Sequence, residues 1–173
     1  DYTRLLRQIG RLTDEMKLQT KNRYIDQLRL RRHLPQARIY LNSGRQNVFA
    51  RFLKWNGYEV GRLLVDASSS PLTGLNGRLS ADSVVAAHFL LDTIRVTVSS
   101  DSARTLYKAQ IRNNEHNPDY TFNALLSGGV FERGAYASTE VYDAANRLGL
   151  RLGLAAAMVS NGIKLHMYGK EPI

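Results

Sequence analysis

Period-two alternation near the C-terminus constrains this chain most. Leu148, Leu150, Leu152 and Leu154 alternate with Gly149, Arg151 and Gly153, then Asn161-Gly162 leads into a second alternating run from Ile163 to Tyr168. Side chains repeating every second residue line one face of a strand, and Asn-Gly favours the tight turn of a hairpin. A C-terminal β-hairpin is therefore expected.

Upstream, the pattern reads as a mixture of helix and strand. Residues 3–32 read as one long helix with an apolar stripe of Leu5, Ile9, Leu12 and Met16, resuming at Ile25 and Leu28. Residues 37–41 read as a strand and residues 46–55 as a helix opened by Ser43 and Gln46 as a capping box and stopped by Asn56-Gly57. Residues 58–65 return as a strand. The Ser-, Gly- and Pro-containing stretch 67–78 reads as a loop, and residues 81–91 as a helix capped by Ser80. Residues 93–99 alternate as a strand. A helix capped by Asp101 or Ser102 follows to about residue 112, then a polar turn over 113–119. Residues 121–127 read as a weak helix, 130–135 as a short strand and 138–148 as a helix ended by Gly149. These elements predict an α+β (mixed α/β) fold. It has a mixed sheet of five or six strands with flanking helices, a long basic N-terminal helix and the C-terminal hairpin. The division expected is a helical extension over 1–35 and a core domain over 36–173.

Charge is the second strong feature. The 173 residues carry 24 Lys+Arg and 15 Asp+Glu, a formal net charge of +9. All of that excess belongs to residues 1–62; residues 63–173 balance to zero. Arginine dominates the cations, and its planar fork suits phosphate and carboxylate. Arg29, Arg31, Arg32, Arg38, Arg45, Arg51 and Lys54 fall close together, interleaved with Tyr40, Phe49, Phe52, Trp55 and Tyr58. Such a segment can neutralise a phosphate backbone while an exposed aromatic stacks on bases. Phe49 and Phe52 suit a core, and Trp55 suits exposure. These seven cations and Trp55 are the candidate nucleic-acid-binding residues. The alternative is that the high pI of 10.0 only aids solubility, or that the arginines pair with an acidic partner.

Other classes are constrained by what the sequence lacks. It has no cysteine, which excludes disulfides, thiol catalysis and Cys-containing zinc sites. His33, His88, His116 and His166 show no metal-ligand spacing, and there is no nucleotide-loop or nucleophile-elbow motif. No cofactor is implied. No apolar run is long enough for a helical membrane span. A start at Asp1 rather than Met is compatible with a processed or trimmed product, and a missing N-terminal segment is where a targeting signal or membrane anchor could lie.

The functional expectation is a non-enzymatic basic subunit that binds nucleic acid or another polyanion and assembles with copies or partners through the N-terminal helix. One alternative is a structural subunit of a large assembly with that helix as docking arm. Another is an enzyme acting on a phosphorylated small molecule. If the strands at 37–41, 58–65 and 93–99 ran parallel, Asn42-Ser43-Gly44-Arg45, Asp66-Ala67-Ser68 and Ser99-Ser100-Asp101 would share one ligand-binding edge.

Overall fold

The computed structural model describes residues 2–86, 89–101, 103–113 and 121–168. Three helices come early: α1 (Tyr2–Asn22), α2 (Gln27–Arg32) and α3 (Val48–Trp55). The rest is strand: β1 (Ala37–Gly44), β2 (Tyr58–Ser70), β3 (Gly74–Ala86), β4 (Phe89–Ser100), β5 (Thr105–Asn113), β6 (Phe122–Phe131), β7 (Gly134–Asp143), β8 (Leu148–Val159) and β9 (Gly162–Tyr168). The nine strands form one sheet in chain order, every neighbouring pair antiparallel.

This overturns the mixed sheet of five or six strands. The stretch expected as a loop, 67–78, is the end of β2, a turn and the start of β3, paired from Asp66↔Arg78 to Ser70↔Gly74. The expected helices at 81–91, 103–112, 121–127 and 138–148 fall in β3–β4, β5, β6 and β7. Apolar residues there satisfy helical and strand spacing alike, and pairing with both neighbours decides for strand. Residues 87–88, Ser102 and 114–120 lie outside the described residues, as do His88, His116 and most of the expected polar turn. The C-terminal hairpin forms as expected, with one adjustment. Val159 pairs with Gly162, so the connecting residues are Ser160 and Asn161, and Gly162 adopts φ 143° as the first residue of β9.

The single N-terminal helix expected over 3–32 is instead two. Arg23 takes a positive φ of 53°, and Asp26 then caps α2 by accepting from the Arg29 amide at 2.9 Å. The inward face of α1 is also not the expected stripe. Glu15 and Gln19 are buried, whereas Ile9 and Met16 are 43% and 54% exposed. Gln19 Nε2 donates to Glu15 (2.9 Å) and to the Asp26 carbonyl (3.0 Å), and its Oε1 accepts from the Asp26 amide (2.9 Å). A polar latch thus sets the corner between α1 and α2.

Register divides the sheet into two unlike faces. One cross-strand row reads Leu41, Val65, Leu79, Val96, Ala109, Leu126, Thr139, Leu152. The row one residue away reads Tyr40, Asp66, Arg78, Thr97, Lys108, Ser127, Ser138, Gly153. Alternate residues of a strand point to opposite sides, so the first row belongs to an apolar face and the second to a polar one. The corner between α1 and α2 lies on the apolar face at the end that carries the β2–β3, β4–β5, β6–β7 and β8–β9 turns. There Gln27 Nε2 donates to Thr105 Oγ1 (3.2 Å) and the Ile25 amide donates to Met158 Sδ (2.9 Å). Met16, Tyr24, Ile25 and Leu30 line an apolar cavity of about 390 Å³ with Val130, Ala135 and Ile163. Among the described residues no large side chain is fully buried, because no second layer covers the remainder of the apolar face.

Candidate functional surfaces

The eight sequence candidates do not form one patch. β1 runs the length of the sheet, with Ala37 beside Ser69 and Gly44 beside Arg62. It therefore separates α2 at the turn end from α3 at the other. Several of the cations are also engaged. Arg29 is 3.4 Å from Glu15 and stacks over the Tyr24 ring at 5.9 Å. Arg31 donates to the carbonyls of Pro71, Leu72 and Asp101, fastening α2 to two turns of the sheet. Arg38 pairs with Asp66 at 3.6 Å, and Arg78 approaches the same carboxylate at 3.8 Å. Lys54 pairs with Glu59 at 2.9 Å. Arg32 is exposed at the end of α2. Arg45 and Arg51 meet no carboxylate among the described residues, and Trp55 beside them is 88% exposed.

The strand-end edge expected of a parallel sheet is absent. Asp66 lies inside β2, paired with Tyr40 and Arg78, while residues 42–45 and 99–101 lie at opposite ends of the sheet. Asp101 closes the β4–β5 turn by accepting from the amides of Ala103 (2.8 Å) and Arg104 (2.9 Å), and from Arg104 Nε at 3.0 Å. These bonds, the Ala103 amide first, hold its carboxyl below the ordinary range. Asp143 closes the β7–β8 turn in the same way with Arg147. Among the described residues no group of three or more His, Asp or Glu stands together to hold a metal ion.

No protein-family model, curated protein or solved structure matches this chain. The function has to be argued from its surfaces.

Sequence reading missed the second basic surface. The polar face carries Arg38, Arg62, Arg78, Arg95, Lys108, Arg112, Arg151 and Lys164 along its paired rows, against Asp66, Asp82 and Glu140. Asp101, Glu132 and Asp143 are matched at their turns by Arg104, Arg133 and Arg147. Residues 63–173 therefore balance to zero only with Asp92, which is not on this face's paired rows, and with Glu115, Asp119 and Glu171, which lie outside the described residues. Strand alternation through Arg95 and Thr97 was the available signal, and it needed the neighbouring strands to become a face. In the middle of this face Arg95, Thr97, Lys108, Gln110, Leu125, Ser127, Ser138 and Glu140 line a depression of about 400 Å³. Glu140 there accepts from Tyr142 Oη at 2.5 Å and Arg151 Nε at 2.7 Å. The Tyr142 hydrogen bond first, then Arg151, lowers its pKa, and the same bond raises that of Tyr142.

The apolar face is the larger feature. Nine strands about 4.8 Å apart span about 38 Å. Outside the region under the helix corner, Leu150, Leu152, Leu154, Leu165 and Met167 are exposed on this side. Contiguous apolar surface beyond a few hundred Å² marks a binding surface. No helix among the described residues is long and apolar enough to cross a membrane.

Proposed function

We propose that this chain is a scaffold that holds an elongated amphipathic ligand, an acyl chain with an anionic head, along the apolar face of its sheet. The observation that carries the reading is the set of cross-strand apolar rows lying open without a second layer. Leu, Val, Ile and Ala dominate those rows, and they supply dispersion contacts and water exclusion along a line, with few groups to orient a polar ligand. Burying such a face is worth roughly 25 cal/mol per Å², so even partial cover is strongly favourable. The excess of basic residues at the rims and on the opposite face favours a negative head group. The test is titration with a fluorescent long-chain fatty acid. Saturable uptake, displaced by unlabelled long-chain anionic amphiphiles and not by short-chain ones, is the expected result. Absence of saturable uptake refutes the reading.

A second reading is polyanion binding, with nucleic acid held through its phosphates. It is supported by the net basic polar face and by Arg45 and Arg51, which meet no carboxylate among the described residues. The earlier set shrinks under this reading, since Arg29, Arg31, Arg38 and Lys54 already have partners. Oligonucleotide binding that weakens steeply between about 50 and 200 mM salt is its signature. Salt-insensitive or absent binding removes it.

A further inference from the structure

The helix α3 carries more apolar surface than its sheet can cover. Phe49 and Leu53 are half-buried, and α3 packs on β1 and β2. Val48, Phe52 and Trp55 follow an i, i+4, i+7 spacing, a second stripe turned away from that packing. They are 75%, 56% and 88% exposed. Phe52, expected in a core, is therefore a surface residue. The helix is firmly built for a short one. Asn47, not Ser43, caps it by accepting from the Ala50 amide at 2.8 Å, and Ser43 Oγ donates to Asn47 Oδ1 at 3.0 Å. At the other end Gly57 takes φ 82° and its amide reaches the Lys54 carbonyl at 3.0 Å. Exposure of the stripe is thus a property of a capped helix and not of a frayed one.

The charges beside the stripe select its partner. Arg51 lies next to it on the helix surface and Arg45 precedes the helix, both without a carboxylate among the described residues. Arg45 and Lys54 also line a depression of about 370 Å³ with Ser83, between α3, the start of β2 and the end of β3. Tyr58, exposed just past the helix, adds a second aromatic with a polar tip. A helix with Trp, Phe and Val on one side and arginines flanking it has the make-up of an element that lies in the interface of an anionic bilayer. Stacking on bases would engage the rings of Phe52 and Trp55 and leave Val48 in water, whereas a bilayer boundary takes all three. A bare apolar protein groove would leave Arg45 and Arg51 without partners.

We propose that α3 is a membrane-surface contact, with Val48, Phe52 and Trp55 entering the headgroup boundary and Arg45 and Arg51 on lipid phosphates. This site is separate from the apolar sheet face, and it stands whether or not that face holds an acyl chain. Trp55 is the only tryptophan in the chain, so its emission reports the contact directly. The full chain is titrated with vesicles of phosphatidylglycerol and phosphatidylcholine, and with phosphatidylcholine alone. The expected result is a blue shift of Trp55 emission, quenched by brominated acyl chains, only with the anionic vesicles. Phe52→Ser with Val48→Ser should abolish sedimentation with vesicles. Arg45→Glu with Arg51→Glu should weaken it about tenfold or more, while the far-ultraviolet circular dichroism of both variants stays that of the parent. Should either variant lose that spectrum, the emission and quenching of the unaltered chain decide alone. Unchanged Trp55 emission with anionic vesicles overturns the proposal. So does a Trp55 response to oligonucleotide instead of vesicle, which assigns the patch to nucleic acid. A vesicle-independent dimer dissolved by Phe52→Ser assigns it to a second copy. Uptake of a soluble fatty acid is measured separately, so the sheet-face reading and this one fail independently.

Discussion

The ring of Tyr107 on β5 lies over Gly128 on β6, so closely that a Cβ at position 128 would stand 2.5 Å from the ring. An aromatic laid across a cross-strand glycine fills the space the missing side chain leaves and fixes the register of that pair. Tyr168 over Gly153 repeats the arrangement on the polar face. In a sheet with no second layer, such pairs supply packing that a core would otherwise give. Gly77 on β3 is different. A Cβ there would meet Ala67 Cβ at 2.8 Å and the Asp66 carbonyl oxygen at 3.0 Å. Backbone cannot swing aside as a ring can. Gly77→Val is expected to cost about 1–3 kcal/mol, and Gly128→Val less. Urea midpoints of the two variants, compared at equal m-value, check the order.

The clasp of Arg31 predicts a structural phenotype for a residue that sequence alone placed at a phosphate. Its guanidinium serves the Pro71, Leu72 and Asp101 carbonyls together, a geometry an ammonium does not match. Arg31→Lys should therefore lose most of what Arg31→Ala loses, about 1–2 kcal/mol after allowing for solvent exposure. Amide exchange over α2 and the β2–β3 turn should accelerate in both variants. Exchange at α3, at the other end of the sheet, should not change.

Stability should fall on both sides of neutral pH. The Gln19 hydrogen bond, then Arg29 and Tyr24, lowers the pKa of Glu15, and Glu140, Asp101 and Asp143 are lowered as well. A carboxyl that is more acidic folded than unfolded contributes stability above its unfolded pKa. That contribution is lost as pH falls through the folded value. Burial raises the pKa of Tyr24, and the Glu140 hydrogen bond raises that of Tyr142. Their contribution is present below the unfolded phenol pKa and is lost as pH rises through the folded one. Melting temperature should show a plateau bounded by an acid limb below the ordinary carboxyl range and an alkaline limb above the ordinary phenol range. Glu15→Gln should shallow the acid limb, and Tyr142→Phe the alkaline one.

Legibility of this chain followed the locality of the signal. Strict alternation marked β4, β8 and β9, and Asn56-Gly57 marked the end of α3, because each depends on a few adjacent residues. Residues 81–91 and 138–148 carry Ala, Val and Leu at spacings that serve either period, and only the neighbouring strands resolve them. The exposed Trp55 was legible from its place before the helix stop. The exposure of Phe52 was not, since it depends on which side of α3 meets β2. The bias of Arg, Lys and Ser to one face and of Leu, Val and Ala to the other was clearest in β8 and β9 and was blurred in β2 and β6, where Leu64 and Leu125 fall on the polar side. It became a pair of surfaces only once the antiparallel order was known.

That two-sidedness gives the sharpest functional contrast. Leu126 and Lys108 lie in adjacent cross-strand rows, near the middle of the sheet, on opposite faces. Leu126→Asp places a charge between Ala109 and Thr139, in the row that runs on to Val96 on one side and Leu152 on the other, where an acyl chain would lie. Fatty-acid uptake should drop by about tenfold or more, since a desolvated carboxylate opposes both the chain and its anionic head. Lys108→Glu should leave that uptake within about twofold, because its side chain is on the far side of the sheet. Its effect should appear instead as weaker oligonucleotide binding at low salt. Equal losses of fatty-acid uptake in both variants, with both folded by circular dichroism, would show that the ligand does not distinguish the two faces.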